Sequence, residues 1–346
     1  MKYAAGQIQT PWAQPPEYGE TLQVAEGLYW IRLPLPMKLD HVNVYALDDG
    51  DGWTLIDTGM GSHKTKGIWE ALLVGPLSGK PVKRVILTHH HPDHVGLAGW
   101  FQNDYGAELW ATRTAYLMAR MLTLDVQETP PPEILTFWQR AGMHPEILSE
   151  RMSGKVFNFA DTVSPIPLGY KRIVQDYVLS MGGRDWTVHI GNGHAPEHAT
   201  FWSHSDNPVI AGDQVISSIS PNLGVYATEP DADPVGEWLE SCERLSQIAN
   251  SKHVVFSGHK LPFSGLPFRL KQLIDNHHSA LERLLIFLET PHSAAECFQP
   301  LFKRRIGEAE YGLALVESIG HLNHLFKEGK VLRTLDPDGA YRFKRV

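Results

Sequence analysis

The sequence predicts an α/β protein followed by a smaller α+β tail, and three observations lead there. Short β-branched apolar runs such as Val85-Ile86-Leu87 alternate with helix-like stretches such as residues 67–74. This strand-then-helix order implies helices packed on the outer face of a sheet. Several of the apolar runs end in Gly or another small residue followed by His or Asp, so polar groups collect at strand ends. Finally, residues 268–346 read as helices closed by a hairpin, which sets an expected boundary between a domain of residues 1–267 and a tail.

Taken in order, residues 1–20 are rich in Gln and Pro and are expected to lie along the surface as an extended arm. They contain no apolar h-region, and no run in the chain is long enough to span a membrane, so a cytoplasmic protein is expected. Residues 28–33 and 42–47 alternate as strands. Asp48-Asp49-Gly50-Asp51-Gly52 is a turn into residues 53–56, giving a hairpin. Asp57-Thr58-Gly59 closes that strand. Asp57 is expected to orient a ligand or the neighbouring loop rather than to bind metal directly.

Next comes Thr88-His89-His90-His91-Pro92-Asp93-His94, directly behind the strand at residues 84–87. His89 and His91 are two apart, so they point the same way in an extended turn. Asp93 and His94 follow where the chain starts to curl. The arrangement suits two metal ions side by side, one held by His89 and His91, the other by Asp93 and His94. Neutral imidazole with carboxylate suits zinc, iron or manganese.

Residues 112–154 differ in character. Met118, Met121, Met143, Phe137 and Trp138 are interrupted by Thr129-Pro130-Pro131-Pro132. Two readings apply: ordinary packing helices, or a lid inserted over the metal cleft with an adaptable apolar lining.

A strand at residues 185–190 leads into Gly191-Asn192-Gly193-His194-Ala195-Pro196-Glu197-His198. The glycines allow a tight turn, and His194 is assigned to the first metal. His198 either touches substrate or hydrogen-bonds the loop. Strands at residues 199–204 and 208–211 follow, the second ending in Gly212-Asp213; Asp213 is assigned to bridge the two cations. After a helix near residues 235–250, a strand at 253–256 ends in Ser257-Gly258-His259, and His259 completes the second site. Tyr226, at the end of the loop after Asp213, is an expected oxyanion or substrate contact.

The order Asp57-Thr58-Gly59, His89-x-His91-x-Asp93-His94, Gly193-His194, Gly212-Asp213 and Gly258-His259 resembles the metallo-β-lactamase-fold hydrolases over roughly residues 20–265. The resemblance implies an αβ/βα sandwich with a binuclear site at one edge. It places His89, His91 and His194 on one metal, Asp93, His94 and His259 on the other, and Asp213 between them. Asp213 stands where true β-lactamases often use Cys, which argues against antibiotics as the natural substrate.

The expected function is a metal-dependent hydrolase using two divalent ions, zinc first, with iron or manganese accepted by the same donors. Activated hydroxide would attack an ester, thioester or lactone carbonyl of a small, partly apolar substrate, with Asp93 or Asp213 holding the proton. The alternatives are a phosphodiesterase or single-strand endoribonuclease, an iron-bound redox relative, and a non-catalytic binding protein.

In the tail, the order helix, helix, helix, hairpin is similar to a winged helix, and its pairing with this fold resembles the beta-lactamase-like-protein-2 group. From residue 268 the chain carries 12 Lys and Arg against 10 Asp and Glu, so the tail is at +2 while the remainder is at −10. That is a weak footprint for nucleic acid, and a packing or homodimerising tail is expected instead. The net charge of −8 likewise disfavours a general nucleic-acid-coating role. Two cysteines, Cys242 and Cys297, are too few for a disulfide framework and fit a reducing compartment.

Overall fold

The computed structural model describes residues 8–346, so the first seven residues of the expected N-terminal arm, and what was read from them about export, lie outside the described residues. The chain divides into two compact units. One comprises the residues up to Val126 with 158–221 and 245–270; the other comprises 127–157, 222–244 and 271–346.

The first unit is built on two sheets. The seven-stranded sheet runs in sequence order through β1 (Leu22–Ala25), β2 (Leu28–Pro34), β3 (His41–Asp48), β4 (Trp53–Ile56), β5 (Val82–Ile86), β6 (Glu108–Ala111) and β7 (Lys171–Arg172). Its first four strands pair antiparallel and the last four parallel. The six-stranded sheet holds β8 (Val178–Met181), β9 (Arg184–Gly191), β10 (His198–Ser203), β11 (Pro208–Gly212), β12 (Val254–Ser257) and β13 (Phe263–Ser264), with β11 and β12 parallel.

The two sheets face each other through a fully buried layer. Trp30, Tyr45, Leu47, Ile56 and Ile86 come from the first sheet, and Trp186, Val188, Phe201, Ile210 and Phe256 from the second. The other face of the first sheet is covered by α1 (His63–Val74), α3 (Ala98–Tyr105) and α4 (Arg113–Leu124), whose Trp69, Phe101 and Ala115 pack on Val44, Leu55 and Val85. A strand buried on both faces must be apolar on both. This is why β4 is buried along its whole length, and why β5 turns apolar at Val85-Ile86, where it enters the core. Burying each large apolar side chain contributes about 1.5–3 kcal/mol, so this double layer anchors the strand ends that carry the polar residues.

The second unit contains α5 (Pro132–Arg140), α6 (Pro145–Ser153), most of α7 (Pro234–Ser246) and α8 (Leu266–Phe287), then α9 (Phe298–Phe302), α10 (Glu308–Lys327) and the hairpin of β14 (Val331–Leu335) with β15 (Tyr341–Arg345). Leu315, Leu322 and Leu325 of α10 are buried. Ser293 and Glu296 form a reciprocal cap at the turn before α9.

Two expectations about boundaries differ from this arrangement. The stretch 112–154 is not one insertion: α4 belongs to the first unit, while residues 127–157 belong to the second. The expected boundary at 267/268 falls within α8, three residues before the units divide at 270/271; Leu266, Leu270, Leu273, Leu281 and Leu284 of that helix are all buried. Among the described residues, no helix is long and apolar enough to cross a membrane.

Candidate metal centre

One edge of the sandwich collects the C-terminal ends of β5, β9, β11 and β12. His89 and His91 lie in the turn after β5. Pro92 then starts α2 (Pro92–Val95), with Pro at its first position as helices favour. The helical curl places Asp93 and His94 beside His259, with the His94 ring 4.1 Å from that of His89. His194 lies in the β9–β10 loop, Asp213 follows β11, and His259 follows β12.

These residues meet in three overlapping groups: His89, His91 and His194; His89, His94 and Asp213; Asp93, His94 and His259. Within each group the ligand atoms lie within 4.8 Å of one another. His91 Nδ1 is 3.0 Å from both His89 Nε2 and His194 Nε2. Zinc–nitrogen bonds of about 2.0–2.1 Å at tetrahedral angles place ligand nitrogens roughly 3.3 Å apart, so three converging nitrogens at this spacing suit a common cation. Asp213 Oδ2 is 3.5 Å from His194 Nε2, 3.5 Å from His94 Nε2 and 3.1 Å from His259 Nε2. Asp93 Oδ2 lies 3.3 Å from His259 Nε2.

The donors also fit cations by what they leave unsatisfied. His94 Nε2 and Asp213 Oδ1 are buried without a hydrogen-bond partner. Such groups are costly unless something satisfies them. A divalent ion with N and O ligands is the species this donor set suits.

A layer of hydrogen bonds behind the ligands decides which ring nitrogen faces inward. Asp57 takes a left-handed backbone conformation, φ 62°. Its Oδ1 accepts from the Thr88 N–H at 2.8 Å. Its Oδ2 accepts from Thr88 Oγ1 at 2.7 Å and from His94 Nδ1 at 2.8 Å. Because the Thr88 hydroxyl donates to Asp57, it is free to accept from His89 Nδ1, 2.9 Å away. His259 Nδ1 donates to the carbonyl of His41 at 2.8 Å. In all three rings Nδ1–H is used outward, so Nε2 presents its lone pair to the site.

Electrostatics follow from burial and these neighbours. Burial, together with the surrounding imidazoles, pushes the His89 and His91 pKa values well below the usual histidine value, keeping both neutral as ligands must be. At His94 and His259 burial also opposes charge, but carboxylates outweigh it. Asp213, Asp93 and Asp57 raise His94 well above its usual value, and Asp213 with Asp93 raises His259 to about 10. That half of the cluster therefore favours positive charge, whether as protons or as a metal ion.

Of the other expected contacts, Asp57 touches His94 and Thr88 but belongs to none of the three ligand groups. His198 is fully buried: its Nε2 accepts from the Asp213 N–H at 3.1 Å and its ring stacks on His89 with centroids 4.6 Å apart. Of the two roles open to it, the structure shows the loop hydrogen bond. Tyr226 belongs to the second unit, and the residue as a whole is 49% exposed.

Sequence reasoning missed Thr88, whose position immediately before His89 was the available signal. It also missed His90, which is 6% exposed, has a buried Nδ1 without a hydrogen-bond partner and lies 4.8 Å from the His91 ring.

Comparison with known proteins agrees with this geometry. Residues 37–259 match the family model described as the metallo-beta-lactamase superfamily, and residues 281–346 match one described as the metallo-beta-lactamase-like, C-terminal domain. The chain is 26% identical over 328 residues to "Probable metallo-hydrolase YqjP" of Bacillus subtilis, covering 91% of this chain and 97% of that protein. Among solved structures it is similar to a beta-lactamase domain protein from Burkholderia ambifaria, with 33% identity, TM-score 0.88 and 98% of both chains covered. A metallo-beta-lactamase family protein from Thermus thermophilus is 28% identical with TM-score 0.78, covering 94% of this chain and all of the other. With one match spanning every residue of the cluster and the tail matched separately, this chain belongs to the metallo-beta-lactamase superfamily.

Proposed function

We propose that the chain is a binuclear metal-dependent hydrolase that cleaves an ester, thioester or lactone of a small, partly apolar substrate. The observation that carries the reading is the position of Asp213. A single carboxylate oxygen lies within 3.5 Å of His194 from one half of the cluster and of His94 and His259 from the other. A two-cation site needs a bridging group at that point. His89, His91 and His194 would hold one cation, Asp93, His94 and His259 the second, and Asp213 both. When bound, cations so held supply Lewis acidity, lowering the pKa of coordinated water and offsetting charge that builds on a substrate oxygen. Zinc suits the donors, which accept iron and manganese as well.

The chain's own contribution is positioning and proton handling. Asp57 and Thr88 hold His89 and His94 in one tautomer, so the ligands need no reorganisation. Of the two carboxylates, Asp93 is the more exposed, at 19% against 7% for Asp213. It is therefore the one a substrate reaches, and in this reading it takes and returns the proton of the attacking water. Met118 and Met121 of α4 are proposed as substrate contacts. The tail, at +2, is proposed to pack or dimerise rather than bind nucleic acid.

The test is a panel of carboxylic esters, thioesters, lactones and phosphodiesters, including single-stranded RNA, assayed with Zn²⁺-, Mn²⁺- and Fe²⁺-loaded protein of measured metal content. Hydrolysis of a carbonyl substrate that falls at least 100-fold in Asp93→Asn is expected. Turnover confined to phosphodiesters, or none with any metal, overturns the reading.

A further inference from the structure

Asn43 is a polar residue in the middle of β3, 1% exposed, between Val42 and Val44 of the core. A buried amide costs free energy unless its donors and acceptors are matched. Every polar group of this side chain is matched, and the pattern is directional. Trp30 Nε1 donates to Asn43 Oδ1 at 2.8 Å. The indole N–H can only donate, so it fixes which end of the amide is oxygen and turns the NH₂ group the other way. That group donates to the carbonyl of Ser257 at 3.0 Å and to that of Lys260 at 2.7 Å. The Asn43 backbone N–H donates to the carbonyl of Gly258 at 2.6 Å.

One residue of the first sheet therefore grips three of the four carbonyls in Ser257-Gly258-His259-Lys260, a turn more than 200 residues away that belongs to the second sheet. The turn needs such a grip. Lys260 is held at φ 65°, a conformation that non-glycine residues adopt at a cost. Gly258 passes so close to the site that a Cβ there would overlap Asp213 Oδ1 and lie 2.6 Å from His94 Cε1. The neighbours of Asn43 on β3 act on the same turn: Tyr45 donates its hydroxyl to the Ser257 carbonyl at 2.7 Å, and the His41 carbonyl takes the His259 Nδ1–H.

We infer that Asn43, locked by Trp30, is a positioning residue that sets His259, and with it the second cation site, by holding the turn on both sides of that histidine. The inference rests on the two-cation reading above. Its consequence is selective. The His89, His91 and His194 trio hangs on β5 and the β9–β10 loop, which Asn43 does not touch.

The test is Zn²⁺ binding, measured by competition with a chromophoric chelator, on the wild type, Asn43→Asp and His259→Ala. Aspartate matches asparagine in shape but has no proton to give the Ser257 and Lys260 carbonyls. Wild type is expected to bind two equivalents. Asn43→Asp should keep the tighter one within about twofold and weaken the other about 10–100-fold, the range seen when groups behind a metal ligand are removed. In the His259→Ala background the same substitution should have no further effect on Zn²⁺ affinity, whereas a merely structural role would weaken both sites in either background. Should Asn43→Asp not fold, Asn43→Ser, which retains one donor, carries the same comparison. Equal second-site affinity in the variant and wild type overturns the inference. A wild type binding fewer than two equivalents refutes the two-cation reading itself, and the inference with it.

Discussion

Replacing Asp57 by asparagine should damage metal binding without disturbing the backbone that carries it. Asp57 sits at φ 62°, and asparagine is among the few residues that tolerate this conformation. What changes is hydrogen bonding. In the wild type, Oδ2 accepts from both Thr88 Oγ1 at 2.7 Å and His94 Nδ1 at 2.8 Å, while Oδ1 accepts from the Thr88 N–H. An amide can keep the Oδ1 contact, but its NH₂ then faces two groups that also donate. Two buried donors left without an acceptor cost about 1–3 kcal/mol each, so the metal-free variant should lose about 2–6 kcal/mol before relaxation. The cheapest relaxation loses the His94 Nδ1 proton and leaves one on Nε2, which aims an N–H at the second cation and removes a ligand. Zn²⁺ affinity at that site should drop about 10–100-fold, with the His89, His91 and His194 site less affected. Chelator competition reads the affinities, and urea unfolding of metal-free protein reads the stability. A variant that binds both equivalents as tightly as wild type would show that Asp57 does not set the His94 tautomer.

Other expectations follow from the same structure. Gly258→Ala should abolish binding of the second Zn²⁺ while the far-ultraviolet circular dichroism stays native, because the added Cβ meets Asp213 and His94 at the site; full stoichiometry in that variant would contradict the close approach. Zn²⁺ titration in weak buffer near neutral pH should release protons, and affinity should rise with pH, since carboxylates outweigh burial to hold His94 and His259 protonated in the ion-free cluster, the latter to about 10; a pH-independent isotherm would count against that electrostatic picture. Glu317, on α10, has its pKa raised by burial to about 7, against 4.5 when unfolded. The native state therefore keeps a proton that the unfolded state releases between these values, so stability falls as pH rises from about 4.5 through 7 and then levels off. Glu317→Gln should flatten that part of the profile in thermal melts at pH 5 and pH 8, and an unchanged profile would assign the slope elsewhere.

Much of this architecture was legible because each ligand follows a strand whose apolar run is hard to misread. β3, β4, β5, β9, β11 and β12 were all expected within two residues of where they lie, and the ligands follow the last four. The parts that escaped reading lack that signal for physical reasons. β7 is Lys171-Arg172, both exposed, and it is a strand only because β6 offers it an edge. β8 alternates exposed and buried residues over four positions, too short a pattern to separate from a loop. The unit boundary at 270/271 was not legible because it falls inside α8, a continuous helix whose apolar stripe carries no break there. His198 could be narrowed to two roles, and its choice between them was set by the Asp213 N–H and the His89 ring, contacts that sequence spacing does not reveal. Asn43 reads as an ordinary polar position in a half-buried strand. Its meaning lies wholly in partners brought to it by the packing of two sheets.

The central claim is that far-separated strand ends build two adjacent cation sites sharing one carboxylate. Crystals grown with Zn²⁺ and measured for anomalous scattering at the zinc edge test it directly. Two peaks are predicted, one enclosed by His89, His91 and His194 and one by Asp93, His94 and His259, with Asp213 ligating both. A single peak, or a pair in which Asp213 touches neither ion, would contradict the account.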